Sequence, residues 1–164
     1  MRPPEKKGTD AFSATNSGGS GKRVSPLFFR RAGTAADLEA IAAIQSASPE
    51  AAHWEPRDYF QYDLRVAVVD GHIAGFLVGR TLAAGESEIL NLAVAPEHRR
   101  RGVARGLVEG WLRGANGDVF LEVRASNEAA QKFYKSLGFQ VVSVRSEYYS
   151  SPVETAIVMK FHSC

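Results

Sequence analysis

The apolar run Ile89-Leu90-Asn91-Leu92-Ala93-Val94 leads through Pro96 into Arg99-Arg100-Arg101-Gly102-Val103-Ala104, and an apolar stripe at helical spacing follows. No other stretch constrains the fold as much. A strand that turns through a basic, glycine-bearing loop into a helix makes an anion site. The first N–H groups of the helix are unpaired, and its dipole favours negative charge there. Gly102 lets the backbone approach a ligand, and the three arginines add charge. Taken alone, the segment reads equally well as a solvated basic turn.

The 164 residues suggest one domain, and 45% hydrophobic content supplies enough apolar surface for one core. A net charge of +2 gives no global argument for nucleic acid, so the arginines matter by position. The single cysteine, Cys164, is the last residue. It cannot form an internal disulfide, and a chain end is a poor place to hold a nucleophile. No apolar run approaches the ~20 residues that span a bilayer, and the N-terminus lacks a secretory h-region. The default reading is a cytoplasmic protein with no membrane partner.

Residues 1–26 are rich in Gly, Ser, Thr, Pro and Lys and read as a flexible tail; the folded domain is expected over 27–164. Leu27–Arg30 is a short strand. Thr34 with Asp37 three residues on resembles a capping box, and Leu38, Ile41, Ala42 and Gln45 continue at helical spacing up to Pro49. A second short helix starts near Pro56. Arg65–Val69 and Ile73–Val78 are strands around an Asp70-Gly71 hairpin turn. Glu88–Val94 is the next strand. Val103, Leu107, Val108, Trp111 and Leu112 form a helical stripe. Val119–Arg124 is a strand, and Ser126-Asn127-Glu128 opens a helix that stops at Gly138. Strands Gln140–Val144 and Thr155–Phe161 end the chain, with Tyr148, Tyr149 and Pro152 in the loop between them. The order β α α β β β α β α β β argues for one sheet covered by helices.

Arg99, Gly102 and Ala104 match the pyrophosphate pattern Gln/Arg-x-x-Gly-x-Gly/Ala, and the second half of the chain resembles the GNAT superfamily of N-acetyltransferases. Leu121-Glu122-Val123-Arg124-Ala125-Ser126-Asn127, Phe133 to Phe139, Tyr148-Tyr149 and Ala156 to Met159 resemble the RimI family of ribosomal-protein alanine N-acetyltransferases. The likeness is dense from Ile89 to Met159 and thin before Arg65. It implies an α/β single domain (an α+β mixed sheet), with a mostly antiparallel twisted sheet of about seven strands splayed at the cofactor site and about four helices.

The resemblance also implies acetyl-CoA as co-substrate. Its pantetheine arm would lie in the splay against the backbone of Leu92, Ala93 and Val94, with the Leu92 amide at the thioester oxygen as oxyanion donor. The N–H groups of Arg100, Arg101, Gly102, Val103, Ala104 and Arg105 would cradle the diphosphate. Asn127 matches a cofactor-contacting asparagine. Glu122 matches the general base and Tyr134 the acid that protonates the departing thiolate. An α-amine has a pKa near ~8, so a base need remove only one proton, and no covalent acyl-enzyme is required.

The same residues have plainer readings. Glu122 shares a strand face with Arg124, as in a solvated ion pair. Tyr134 lies on an apolar stripe, and Asn127 is a good helix cap. Glu88 is a second candidate base, and Trp54, Tyr148 and Tyr149 are candidate walls of the amine site. His53, His72, His98 and His162 show no metal-ligand spacing, so no metal is expected.

The expected acceptor is the N-terminal amine of a protein or peptide, a ribosomal protein among the candidates. The loop after the tyrosines is shorter than the family's by about two residues, the segment around His53-Trp54 differs, and acceptor loops are where such scaffolds diverge. That keeps a lysine side chain or a small amine in play, alongside an acyl-CoA-binding module without turnover. Direct nucleic-acid binding is not expected, because aromatic residues are not interleaved with the arginines.

Overall fold

A computed structural model describes residues 27–163; the expected tail, 1–26, and Cys164 lie outside the described residues. Seven strands form one sheet: β1 (Leu27–Arg31), β2 (Asp63–Val69), β3 (His72–Ala83), β4 (Glu86–Val94), β5 (Gly117–Arg124), β6 (Gln140–Ser150) and β7 (Val153–Ser163). Their spatial order is β1-β2-β3-β4-β5-β7-β6. Every neighbouring pair is antiparallel except β4 and β5, which run parallel.

Three α-helices, α1 (Ala35–Ser46), α2 (Val103–Gly114) and α3 (Glu128–Ser136), cover the sheet together with a 3-10 helix, Pro56–Gln61, and a 3-10 turn, Pro96–His98. The capping box of α1 is present: Thr34 Oγ1 accepts from the Asp37 amide, and Asp37 accepts from Thr34 N–H. Asp37 is buried and also takes both Nη atoms of Arg30, at 2.7 and 3.0 Å. These bonds hold its carboxyl well below the usual carboxylate range.

The two faces of the sheet are covered unequally. On one face α2 and α3 bury Leu77, Ile89, Val103, Leu107, Trp111, Val119, Leu121, Tyr134, Phe139 and Met159. On the other, α1 and the 3-10 helix pack Ile41, Ile44 and Tyr59 on Val66, Phe76, Val78, Ala93 and Ala95 of β2–β4 and the residue after β4. The α1-side core includes no residue of β5, β6 or β7.

Three details differ from the expectations. The element near Pro56 is a 3-10 helix, because six residues with Pro at the start complete few α-type bonds. Strand β3 continues past Val78 to Ala83, pairing with β4 through Ala83↔Glu86. Tyr148 and Tyr149 belong to β6, not to a loop: β6 and β7 form a hairpin closed at Ser151-Pro152, with Tyr149 opposite Glu154. A bulge between Arg145 and Tyr149, where Glu147 takes φ +53°, interrupted the alternation that would have shown the strand.

Candidate active site

β4 and β5 pair only from Glu86↔Asp118 to Ile89↔Leu121. Beyond that they part, so the sheet opens at the carboxyl ends of its one parallel pair. Ligands bind outside the carboxyl ends of parallel strands, because the helices that follow both begin there. Here those helices are α2 and α3.

A bulge shapes the β4 side of the opening. Asn91 pairs with Val78 but Ile89 with Gly79, so Leu90 is the extra residue. It inverts the alternation. Before it, Ile89 faces α2; after it, Asn91, Ala93 and Ala95 face α1, while Leu92 and Val94 pack against the α2-side core. The same inversion sets the backbone. Ala95 N–H donates to Ala74 O at 2.8 Å, so Ala95 and Ala93 turn their polar groups to β3. Leu92 and Val94 therefore turn theirs away from β3, into the opening. Ala93 itself pairs with Phe76.

The turn into α2 leaves the start of that helix open. Arg100 and Gly102 have positive φ, +59° and +81°, and nothing lies within 4 Å of where a Gly102 Cβ would stand. No side chain caps α2, whereas Thr34 caps α1 and Asn127 Oδ1 caps α3 through the Ala130 amide at 3.0 Å. The arginines divide. Arg100 and Arg101 are exposed. The Arg99 guanidinium turns back to Val94 O, Ala47 O and Ser48 Oγ, bracing the chain after α1. Arg105 reaches Glu109 and Ser136.

On the β5 side, Glu122 lies on the face without a helix. Its neighbour is not Arg124, as alternation suggests, but Arg145 of β6, whose Nη1 sits 2.7 Å from Oε1. Arg124 is drawn off by Glu154 at 3.2 Å and stacks on Tyr149 at 4.1 Å. The Glu122 carboxylate beside the Tyr148 phenol is the main reason that phenol titrates above the ordinary range, and the Glu88 charge acts in the same direction. Burial pushes Tyr149 up to about 12. Glu88, opposite Phe120, is held by Arg80 at 2.7 Å. Glu88, Glu122, Tyr148 and Tyr149 thus gather on one surface. Trp54 stands on another wall, its ring 5.8 Å from Tyr59 and 6.1 Å from Tyr62.

Tyr134 lies on the opposite face, 8% exposed, between the rings of Phe133 and Phe139. Burial drives its pKa far up, so its hydroxyl is protonated at any working pH. No group among the described residues accepts from it. Periodicity placed this residue in the core, and its ring is there.

Sequence reasoning missed Arg145 and Asn91. Arg145 comes from a strand two places away, a pairing no local pattern reveals. Asn91 did leave a signal, being the one polar residue in an apolar run. Among the described residues no group of three or more His, Cys, Asp or Glu is placed to hold a metal ion, and no helix is long and apolar enough to cross a membrane.

A family model described as the acetyltransferase (GNAT) family matches residues 35–139, well over half of the chain. The chain belongs to this acetyltransferase family. Within it, the [ribosomal protein bS18]-alanine N-acetyltransferase of Escherichia coli is 37% identical over 97 residues, covering 55% of this chain and 64% of that relative. The match therefore spans slightly under two thirds of the relative's length. The crystal structure of the Escherichia coli ribosomal-protein-S18-alanine N-acetyltransferase superposes with a TM-score of 0.71 at 28% identity, covering 84% of this chain and 94% of that one. Chaetomium thermophilum Naa20, solved with a bisubstrate analogue, gives a TM-score of 0.72 at 28% identity over 82% of this chain and 86% of that chain. The mixed seven-stranded sheet with its parted β4 and β5 is thus the GNAT acetyltransferase fold, and enzymes of this fold use acetyl-CoA.

Proposed function

We propose that this protein transfers the acetyl group of acetyl-CoA to the N-terminal α-amine of a protein, by direct attack and without a covalent acyl-enzyme. One observation carries the reading: β4 and β5 part beside the uncapped start of α2, and the Leu92 and Val94 amides turn into the opening. An extended pantetheine arm would pair with those amides as an added strand would, the Leu92 N–H exchanging Asn91 Oδ1, its partner at 3.0 Å, for the arm. Ala93, engaged with Phe76, contributes shape only. The backbone of residues 100–105 receives the diphosphate, with Arg100 and Arg101 supplying charge, while Arg99 acts through the wall it braces. Asn127, already capping α3, presents that helix start to the cofactor.

Leu92 N–H stabilises the negative charge that develops on the thioester oxygen. Glu122 takes the proton from the attacking amine, directly or through one water. Tyr134 protonates the departing sulfur. Burial makes its phenol a reluctant acid, but a thiolate leaving into the same apolar surroundings is a stronger base than in water, which offsets this. Glu88, clamped by Arg80, serves as an acidic wall rather than as the base.

An N-terminal acceptor fits the helix-free face of β5, β7 and β6, where acidic and aromatic groups meet a cationic, extended chain end. The relatives' names point to alanine at that end and to a ribosomal protein as its source. The test is CoA release with short peptides. Alanine-starting peptides with a free amine should turn over, and the same peptides blocked at the N-terminus but carrying lysine should not. Preference for the blocked lysine peptides would replace this reading by side-chain acetylation. Acetyl-CoA binding without turnover on any amine would replace it by a binding module.

A further inference from the structure

Asn91 is only 6% exposed, and all four of its hydrogen-bonding positions are filled. Its Nδ2 donates to Ala52 O at 2.9 Å and to the Tyr59 hydroxyl at 2.8 Å. Its Oδ1 accepts from Ala52 N–H at 3.3 Å and from Leu92 N–H at 3.0 Å. The network runs on: Tyr59 donates to Gln45 Oε1, and Gln45 Nε2 donates to Trp54 O at 2.7 Å. A single side chain on β4 thus ties the amide that faces the opening to the segment 48–55 that carries Trp54.

We propose that Asn91 is a positioning residue that makes the acceptor wall respond to the acyl group. The inference rests on the acetyl-transfer reading. Leu92 N–H carries one hydrogen, and a thioester oxygen in the opening competes for it with Asn91 Oδ1. When the thioester takes that hydrogen, Oδ1 keeps Ala52 N–H as its remaining donor, and the long 3.3 Å bond shortens. Nδ2 holds Ala52 O and Tyr59 throughout, so the amide pivots toward residues 48–55 and tightens them. The wall is then firm when acetyl-CoA is bound and looser when product CoA, which has no acyl oxygen, remains. Donor would bind before acceptor, and the acetylated product would leave a relaxed wall.

Hydrogen exchange of the wild-type protein tests this, read by mass spectrometry on peptides covering residues 47–55. Three states are compared: free, saturated with acetyl-CoA, and saturated with S-ethyl-CoA, a thioether of the same bulk without the carbonyl oxygen. Acetyl-CoA should slow exchange in this segment severalfold more than S-ethyl-CoA. Equal protection by the two overturns the inference and leaves acetyl transfer standing. Failure of both to bind overturns the two together. A second arm uses Asn91→Ala and the milder Tyr59→Phe. Asn91→Ala should raise the acceptor KM about tenfold with acetyl-CoA Kd within twofold, and should abolish the difference between the two CoA thiol derivatives; Tyr59→Phe should shrink it. A difference that survives in a folded Asn91→Ala protein overturns the inference. If that variant does not fold, Tyr59→Phe and the wild-type comparison decide.

Discussion

Arg145 of β6 reaches past β7 to place Nη1 2.7 Å from Glu122 Oε1 on β5. Its side chain is 56% exposed, against 14% for Glu122. With its cationic partner this exposed, the pair contributes about 1 kcal/mol, little enough for an incoming ammonium to displace it. Arg145→Gln should leave stability within about 1 kcal/mol and lower the acceptor KM by a few-fold, because the acceptor no longer competes with a resident cation. Steady-state kinetics with a peptide acceptor checks this, and an unchanged or raised KM would show that the amine does not meet Glu122.

The two proton-transfer groups should separate cleanly. Glu122→Gln should cut kcat by about 10²–10⁴-fold, with the largest loss at low pH, where little amine is neutral. A pH–rate profile of unchanged shape removes Glu122 as base. Tyr134→Phe keeps the ring between Phe133 and Phe139, so folding and acetyl-CoA affinity should hold while turnover falls. Loss of folding would leave Tyr134 a packing residue only.

Gly102 offers a test confined to the donor. Its φ of +81° is unfavourable for a residue with a Cβ, although nothing would collide with that Cβ. Gly102→Ala should therefore cost about 1–2 kcal/mol through conformation alone, or shift the turn. Titration with acetyl-CoA should show weakened binding, and the acceptor KM at saturating donor should stay put. Undiminished donor affinity would move the diphosphate away from this turn.

Asp37 predicts the acid limit of stability. Its folded pKa is lowered by Arg30 and by the Gly33 and Thr34 amides, so its contribution is complete above the unfolded value of 3.8 and lost as pH falls below it. Asp37→Asn should cost about 1.5–3 kcal/mol near neutral pH, the range for hydrogen bonds to a charged group. The gap from wild type should narrow in melts run below about pH 4. A constant gap across that range would mean that the charge of Asp37 is not what stabilises the start of α1.

Local chemistry made most of the architecture legible. The Thr34–Asp37 capping box, the Asp70-Gly71 turn, where both residues take positive φ, and the Gly138 stop after α3 are short-range signals, and each lies where the residues put it. The α2 stripe was equally plain. What escaped depends on register. Tyr148 and Tyr149 looked like loop residues because a bulge breaks the β6 alternation just before them. Arg145 was invisible as a partner of Glu122 because strand order, not sequence distance, brings β6 near β5. Asn91 is hidden inside an apolar run, and its orientation follows from the bulge at Leu90, which no spacing rule reveals in advance.

That bulge gives β4 an asymmetric tolerance to change. Replacing the Leu90 side chain alters packing at one point and leaves the phase of the strand intact. Deleting the residue removes the bulge, because Ile89 and Asn91 become consecutive and keep their partners Gly79 and Val78. Asn91 would still face α1, and the Leu92 amide would still turn from β3. A residue lost or gained between Asn91 and Val94 has the opposite effect: it exchanges the faces beyond it and rewires donor site and acceptor wall in a single step.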